Sequence, residues 1–347
     1  MKKILFAILA VTALSFCAAA QENSNHSTNT ITRMEESILF YQRLSDIAYV
    51  DIVRLTGPAK AVAPETGCTF KDTLRSNKLK FHSYVFIPKS VKQSGKYPLI
   101  VLSHGGVHSN FAQGMVHIVR ELISQGYIII APEYRGSTGY GRDIYESIDY
   151  GGLEYEDVAA ARDYMVDCYS IVDSTRVGLL GWSHGGMISL MNIFNHPEKF
   201  TCAYAGVPVS DVTFRLSYQM PEYIKNYNQP YHIGGTPQEK PEEYARRSPV
   251  NYASKLCRPL MITTCVNDDD VCHLEVERMI DALKAAGKEF EYEIYPSMEG
   301  AHLFERIDIR EACEVRLKTY EFLARWLKPA KPDRTMNQLR AAGYYFY

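Results

Sequence analysis

Arg176-Val177-Gly178-Leu179-Leu180-Gly181-Trp182-Ser183-His184-Gly185-Gly186 joins an apolar run to a G-x-S-x-G turn, and then to a helical pattern that starts near Met187. Strand, sharp turn and helix in that order form the setting in which a serine is lifted out of a sheet as an exposed nucleophile. Glycine is needed at 181 and 185 because so tight a turn brings neighbouring backbones too close for side chains. The helix start behind Ser183 points free N–H groups and a positive dipole end at negative charge developing there.

Working outward, β-rich runs at 81–87, 99–103, 127–131, 177–181, 202–206, 260–264 and 290–295 alternate with helical periods at 115–125, 153–167, 185–195, 273–286 and 308–327. Several runs are continuously apolar, as strands covered on both faces are. In the last helix Ile309, Cys313, Leu317, Tyr320, Leu323 and Leu327 step by three or four into one apolar stripe. The alternation predicts an α/β fold, a doubly wound, mostly parallel sheet with helices on both faces. Residues 211–255 break the rhythm with Tyr218, Tyr223, Tyr227, Tyr231, Tyr244 and Tyr252, and read as an insertion over the sheet edge.

The 347 residues are 46% hydrophobic and 22% charged, a composition that excludes intrinsic disorder and fibrous repeats. With 38 basic against 40 acidic side chains the net charge is -2, so no basic field gathers phosphates and nucleic acid is not an expected partner. Lys2 and Lys3, the apolar run 4–17 and Ala18-Ala19-Ala20 predict a secretory signal peptide over 1–20, cleaved near Gln21. The product is then exported, periplasmic or extracellular. A lipoprotein anchored at Cys17 is the lesser alternative, because bulky Phe16 stands where a small residue is expected. No later segment is long enough to span a bilayer. The predicted layout is an N-terminal extension over 21–80, a catalytic domain over 81–330 carrying the 211–255 insertion, and a tail over 331–347 that ends in aromatic residues. Oligomeric state is not legible.

Beyond Cys17 there are seven cysteines, an odd number that cannot all pair within one chain. Cys168, Cys202 and Cys313 read as buried free thiols. Cys265 and Cys272 lie close enough in sequence to bridge a loop.

A serine becomes a nucleophile when a base takes its proton and a buried carboxylate orients that base. Behind a nucleophile elbow the partners follow in the order acid, then histidine. Of His184, His196, His232, His273 and His302, only His302 follows a strand and precedes the last helix, at the carboxyl end where sites in such sheets form. It is the candidate base. The acid lies in Asn267-Asp268-Asp269-Asp270, directly after the strand 260–264; Asp268 is preferred, with Asp269, Asp270 and the more distant Asp211 as alternatives. Ser103-His104-Gly105-Gly106 closes another strand, and the N–H groups of Gly106 and His184 are the candidate oxyanion donors. No phosphate-binding GxxxxGK[ST] loop, no dinucleotide-binding G-x-G-x-x-G after a strand and no HExxH occurs, so no cofactor is expected. His104, His108 and His117, or Cys265, Cys272 and His273, match no known metal spacing, so no metal is expected.

From 81 to 327 the sequence resembles the catalytic domain of the prolyl oligopeptidase family of serine peptidases. The resemblance rests on His104-Gly105-Gly106, Tyr134-Arg135-Gly136-Ser137-Thr138-Gly139-Tyr140-Gly141, Gly181-Trp182-Ser183-His184-Gly185-Gly186, Asn267-Asp268-Asp269-Asp270-Val271 and Glu299-Gly300-Ala301-His302. It implies an α/β-hydrolase fold, places the acid on Asp268, and puts Tyr134 and Arg135 in a loop near the site entrance. Propeller-bearing members need several blades of roughly 40–50 residues each. Only about 60 residues separate Gln21 from Phe81, so the resemblance extends to the catalytic domain without a propeller.

The expectation is a secreted serine hydrolase, a serine-type peptidase cleaving peptide or aminoacyl bonds of small substrates through an acyl-enzyme. A carboxylesterase acting on acetyl, feruloyl or similar esters uses the same machinery, because the tetrahedral intermediate is shared. A non-catalytic binding protein of the same fold is the third reading. Tyr223 and Tyr227 are expected to wall the acyl pocket.

Overall fold

A computed structural model describes residues 31, 34–35, 37–60, 78–302, 304 and 306–343. The leader over 1–20, Cys68 and the final aromatics 344–347 lie outside the described residues.

Eight strands form one sheet in the order β1-β2-β4-β3-β5-β6-β7-β8. They are β1 (Ala48–Ala59), β2 (Lys78–Pro88), β3 (Tyr97–Ser103), β4 (Ile128–Glu133), β5 (Val172–Trp182), β6 (Cys202–Gly206), β7 (Leu260–Cys265) and β8 (Glu291–Tyr295). β2 runs antiparallel to both β1 and β4, and β3 to β8 run parallel to one another. The apolar runs supply both faces because alternate side chains point to opposite sides. Leu99, Val101, Ile128 and Ile130 join one core layer with Val158, Ile188 and Met279. Ile100, Leu102, Ile129 and Ala131 join the other with Leu122, Cys313 and Leu323. Burying each such aliphatic side chain stabilises the fold by about 1.5–3 kcal/mol.

The helices that cover these layers are α1 (Val116–Gln125), α2 (Glu154–Cys168), α3 (His184–Asn195), α4 (His273–Ala285), α5 (Arg310–Leu327) and α6 (Met336–Gly343). α2, α3 and α4 line the first layer, and α1, α5 and α6 the second.

Two stretches read as peripheral are parts of this sheet and its layers. β1 falls inside the expected N-terminal extension, yet it adds an edge strand to the sheet, and Phe40 and Leu44 of the helical segment 37–44 are fully buried against it and its neighbours. β1 alternates exposed and covered positions, as a strand with one wet face does, and so lacks a continuous apolar run. The tail docks too: Leu339 of α6 is buried, and Gly343 O is 2.9 Å from His117 Nδ1 on α1.

The 211–255 insertion folds into short helices at Val212–Arg215, Pro221–Tyr227 and Pro241–Arg246 and a 3-10 segment at Pro249–Lys255. It lies over the edge formed by the strands' carboxyl ends, where His232 Nε2 meets His108 Nε2 at 2.9 Å and Arg247 bonds Asp149 at 3.0 Å.

Cys265 and Cys272 are both free thiols, correcting the possible bridge. Cys265 Sγ is instead 2.8 Å from Asn267 Oδ1. Cys202 and Cys313 are buried, whereas Cys168 is exposed.

Candidate active site

β5 ends at Trp182 and α3 begins at His184, so Ser183 alone makes the turn, with φ 57° and ψ −122°. A non-glycine residue held there costs on the order of 1–3 kcal/mol, and it persists only when its surroundings over-determine it. Ser183 N–H donates to Gly206 O at 2.9 Å, and Ser183 O accepts from Met187 N at 3.0 Å and Val209 N at 3.3 Å. The elbow also needs bare backbones. A Cβ on Gly181 would stand 2.3 Å from Gly185 O, and one on Gly185 would stand 2.3 Å from Ser103 O.

His302 Nδ1 lies 3.0 Å and 2.9 Å from the two carboxylate oxygens of Asp268. The Asp268 side chain is fully buried, and its Oδ1 also accepts from the N–H groups of Asp270 and Val271, each at 2.9 Å. Two backbone donors and an imidazole fix that carboxylate, which in turn leaves His302 Nε2 directed away from it. Asp269 is exposed, and Asp211 caps the helix Val212–Arg215 and pairs with Arg278 at 2.9 Å. Asp268 is therefore the carboxylate of the four candidates in contact with Nδ1. Asp270 stands on the other side of the ring, its Oδ2 3.5 Å from Nε2.

The two loops that carry acid and base are tied together. Asn267 Nδ2 donates to Met298 O at 2.9 Å, and Met298 N–H donates to Asn267 Oδ1 at 3.0 Å. Beyond His302, the buried Arg316 of α5 donates to Phe304 O at 2.9 Å and Arg306 O at 2.7 Å, while Glu121 of α1 holds that guanidinium at 3.0 Å.

Ser183, His302, His104, Gly106, Trp182 and Asp270 border one cavity of about 310 Å³, which Ala112 and Met115 from the segment between β3 and α1 also line. Gly106 adopts φ +76°, and a Cβ there would stand 2.7 Å from Ser109 Cβ. Its N–H and that of His184, the first of α3 with no preceding turn to accept it, are the expected oxyanion donors. His104 is braced from behind by Ser137 Oγ at 3.0 Å and by Tyr134, whose ring stacks on it at 4.2 Å and whose hydroxyl donates to His104 O at 2.7 Å.

That bracing corrects the expectation for Tyr134 and Arg135. Both are buried behind the oxyanion loop rather than placed at the entrance. Arg135 makes a two-pronged pair with Asp157, at 2.8 and 2.7 Å, and donates to Pro58 O at 2.8 Å, joining β4, α2 and the end of β1. Tyr223 and Tyr227 are likewise absent from the cavity wall described above. Tyr227 is buried edge-on against Tyr150, and the Tyr223 hydroxyl accepts from Arg215 at 3.1 Å. A Tyr-rich insertion gives no sequence signal for which hydroxyls turn inward to one another, because that depends on partners far along the chain. The same distance hid Arg215, Arg316 and Glu121.

Burial lowers the pKa of His104 to about 4, and burial aided by the neighbouring His104 lowers that of His184 to about 3. Neither ring nitrogen of His184 has a partner among the described residues. In the unfolded chain a histidine titrates near 6.5, so below that pH the unfolded state binds the proton that folded His184 refuses, and stability falls as pH falls. Between pH 7 and pH 5 this one residue is expected to cost about 2 kcal/mol. Urea unfolding of His184→Met should show a loss over that interval smaller than the wild type's by that amount; an equal loss in both proteins would contradict the assignment.

Doubly wound sheet, elbow serine and carboxylate-oriented histidine together define an α/β-hydrolase fold with a serine-hydrolase type of site. A sequence model of the prolyl oligopeptidase family matches residues 115–330, and the chain belongs to that family. It is 28% identical over 218 residues to an uncharacterized peptidase, YuxL, of Bacillus subtilis, covering 62% of this chain and 33% of that one. An acylamino-acid-releasing enzyme of Arabidopsis thaliana is 30% identical over 221 residues, covering 62% and 29%. The chain thus spans about a third of the length of these curated relatives. Among solved structures, an acylaminoacyl peptidase of Pyrococcus horikoshii superposes with a TM-score of 0.65 at 21% identity, over 87% of this chain and 45% of that one. A puromycin-hydrolyzing peptidase of Mycobacterium tuberculosis gives 0.65 at 24% identity, over 83% and 40%. These likenesses establish the fold. Among the described residues no helix is long and apolar enough to cross a membrane.

Proposed function

We propose that the protein is a serine peptidase that cleaves peptide or aminoacyl bonds of small substrates through an acyl-enzyme. The observation that carries this reading is the contact of His302 Nδ1 with buried Asp268 on the rim of the cavity that Ser183 also borders. Ser183 Oγ attacks the scissile carbonyl and His302 Nε2 takes its proton. Asp268 holds the Nδ1–H tautomer and steadies the imidazolium. The N–H groups of Gly106 and His184 receive the oxyanion, and each such donor is worth on the order of a hundredfold or more in rate. His302 then returns the proton to the leaving amine, and water repeats the sequence on the acyl-Ser183 ester. The family and the named activities of its relatives support peptide-type substrates, and the apolar leader 1–20 supports an exported enzyme.

Fluorophosphonate treatment is expected to label the wild-type protein at Ser183 and to abolish turnover; a protein that stays unlabelled would remove the hydrolase reading. Rates on aminoacyl anilides and on acetyl or feruloyl esters then test the peptidase assignment. Ester turnover without amide turnover would replace it with a carboxylesterase.

A further inference from the structure

Among the named residues bordering the cavity, Asp270 is the one carboxylate, and no lysine or arginine lines the wall with it. Its two oxygens have different surroundings. Oδ1 accepts from Arg215 Nη2 at 2.7 Å, and Oδ2 faces His302 Nε2 at 3.5 Å. Arg215 does not cancel the charge fully, because the same guanidinium lies 3.7 Å from the Glu275 carboxylate. Arg215 Nη1 also donates to Asp270 O at 3.3 Å, so backbone and side chain of Asp270 are both held in place. The side chain is half-exposed and borders the cavity. His104, the other titratable side chain on the wall besides His302, is kept neutral by burial.

We propose that Asp270 selects substrates bearing a protonated amine beside the scissile carbonyl, that is, aminoacyl amides or esters with a free α-amine. This rests on the hydrolase reading above. In an aminoacyl group the α-nitrogen lies about 2.5 Å from the carbonyl carbon. When that carbon stands roughly 3–3.5 Å from Ser183 Oγ, the ammonium lies inside the cavity that Asp270 borders together with Ser183 and His302. An α-amine with a pKa near 8 is charged at neutral pH. N-acylation removes the charge, leaves one neutral N–H donor in place of three charged ones, and adds a carbonyl oxygen that a carboxylate does not favour. Arg215 serves here as a positioning residue that occupies Oδ1, so that Oδ2, beside His302 Nε2, is the oxygen the ligand meets.

Binding to Ser183→Ala protein separates recognition from turnover. Equilibrium dialysis at pH 7 with L-alanine p-nitroanilide and its N-acetyl counterpart should show the free amine bound at least tenfold more tightly. In Ser183→Ala/Asp270→Asn protein the ratio should fall to about threefold or less. Asparagine keeps an oxygen for Arg215 and leaves the backbone N–H bond to Asp268 in place, so the loop has no reason to unfold. Equal binding of the two anilides, or a preference that survives Asp270→Asn, would overturn the inference. Fluorophosphonate labelling of wild-type protein reports separately on the hydrolase reading. A protein that labels at Ser183 but shows no amine preference refutes the role of Asp270 alone.

Discussion

Replacing Asp268 by asparagine is expected to lower kcat about ten-thousand-fold while KM and stability stay close to wild type. The size of the effect follows from where the amide must point. Oδ1 accepts from two backbone N–H groups, those of Asp270 and Val271, each at 2.9 Å. The asparagine oxygen has to remain there, since turning the NH2 group toward two N–H donors would bury three donors without an acceptor. The NH2 group therefore faces His302 Nδ1, where the carboxylate Oδ2 stood at 2.9 Å. Nδ1 then has a donor at 2.9 Å beside the retained oxygen at 3.0 Å, so the Nδ1–H tautomer is no longer held, and wherever Nδ1 accepts from the NH2 group the ring proton sits on Nε2. An imidazole already protonated on Nε2 cannot take the proton of Ser183. The measurement is kcat and KM on an aminoacyl ester, with unfolding in urea to show that the protein is intact. A loss of less than tenfold in an intact protein would mean that another carboxylate orients His302.

The second large effect is expected on stability. Gly185→Ala should destabilise the fold by about 3 kcal/mol or more and should abolish labelling of Ser183 by fluorophosphonate. Two effects oppose each other at this position. Gly185 lies in the first turn of α3, where alanine favours helix by roughly 1 kcal/mol over glycine. Against that, the new Cβ would stand 2.3 Å from Ser103 O and 2.7 Å from His104 O. Both atoms are backbone, and both belong to the strand end that leads into the oxyanion loop. No side-chain rotation relieves the contact, so β3 and α3 must separate, and the steric cost exceeds the helical gain. Separation also moves Gly106 N–H away from Ser183, so activity should fail in any molecule that still folds. Urea denaturation and labelling rate check both parts. A Gly185→Ala protein as stable as wild type would show that the elbow is looser than this geometry implies.

The glycines of the elbow are legible without any structure, because the need for bare backbone at a strand-to-helix turn is local. His302 is legible by its position after the strand run 290–295 and before the apolar stripe of the last helix. The acid is different. Residue types leave Asp268, Asp269 and Asp270 equivalent, and their roles separate only when the Asn267–Met298 bonds bring the two loops together. One of the three carboxylates is then buried on Nδ1, one faces Nε2 and one points to solvent.

By itself the sequence determined the doubly wound core, from continuous apolar runs that only strands covered on both faces require, and the elbow that presents Ser183. Those features depend on periodicity and backbone geometry over a few residues. The tertiary structure decided that 48–59 completes the sheet, that α6 seals α1, and that Tyr134, Arg135 and Tyr227 are buried supports. It also decided that Cys265 and Cys272 stay apart as free thiols, and that Asp270, rather than a tyrosine of the insertion, faces the cavity beside Ser183. Each of these depends on a partner distant along the chain: β2 for β1, Asp157 for Arg135, Tyr150 for Tyr227 and Arg215 for Asp270. Local pattern carries no record of such partners, since a tyrosine or a carboxylate has the same propensity whether its polar end meets water or a buried neighbour.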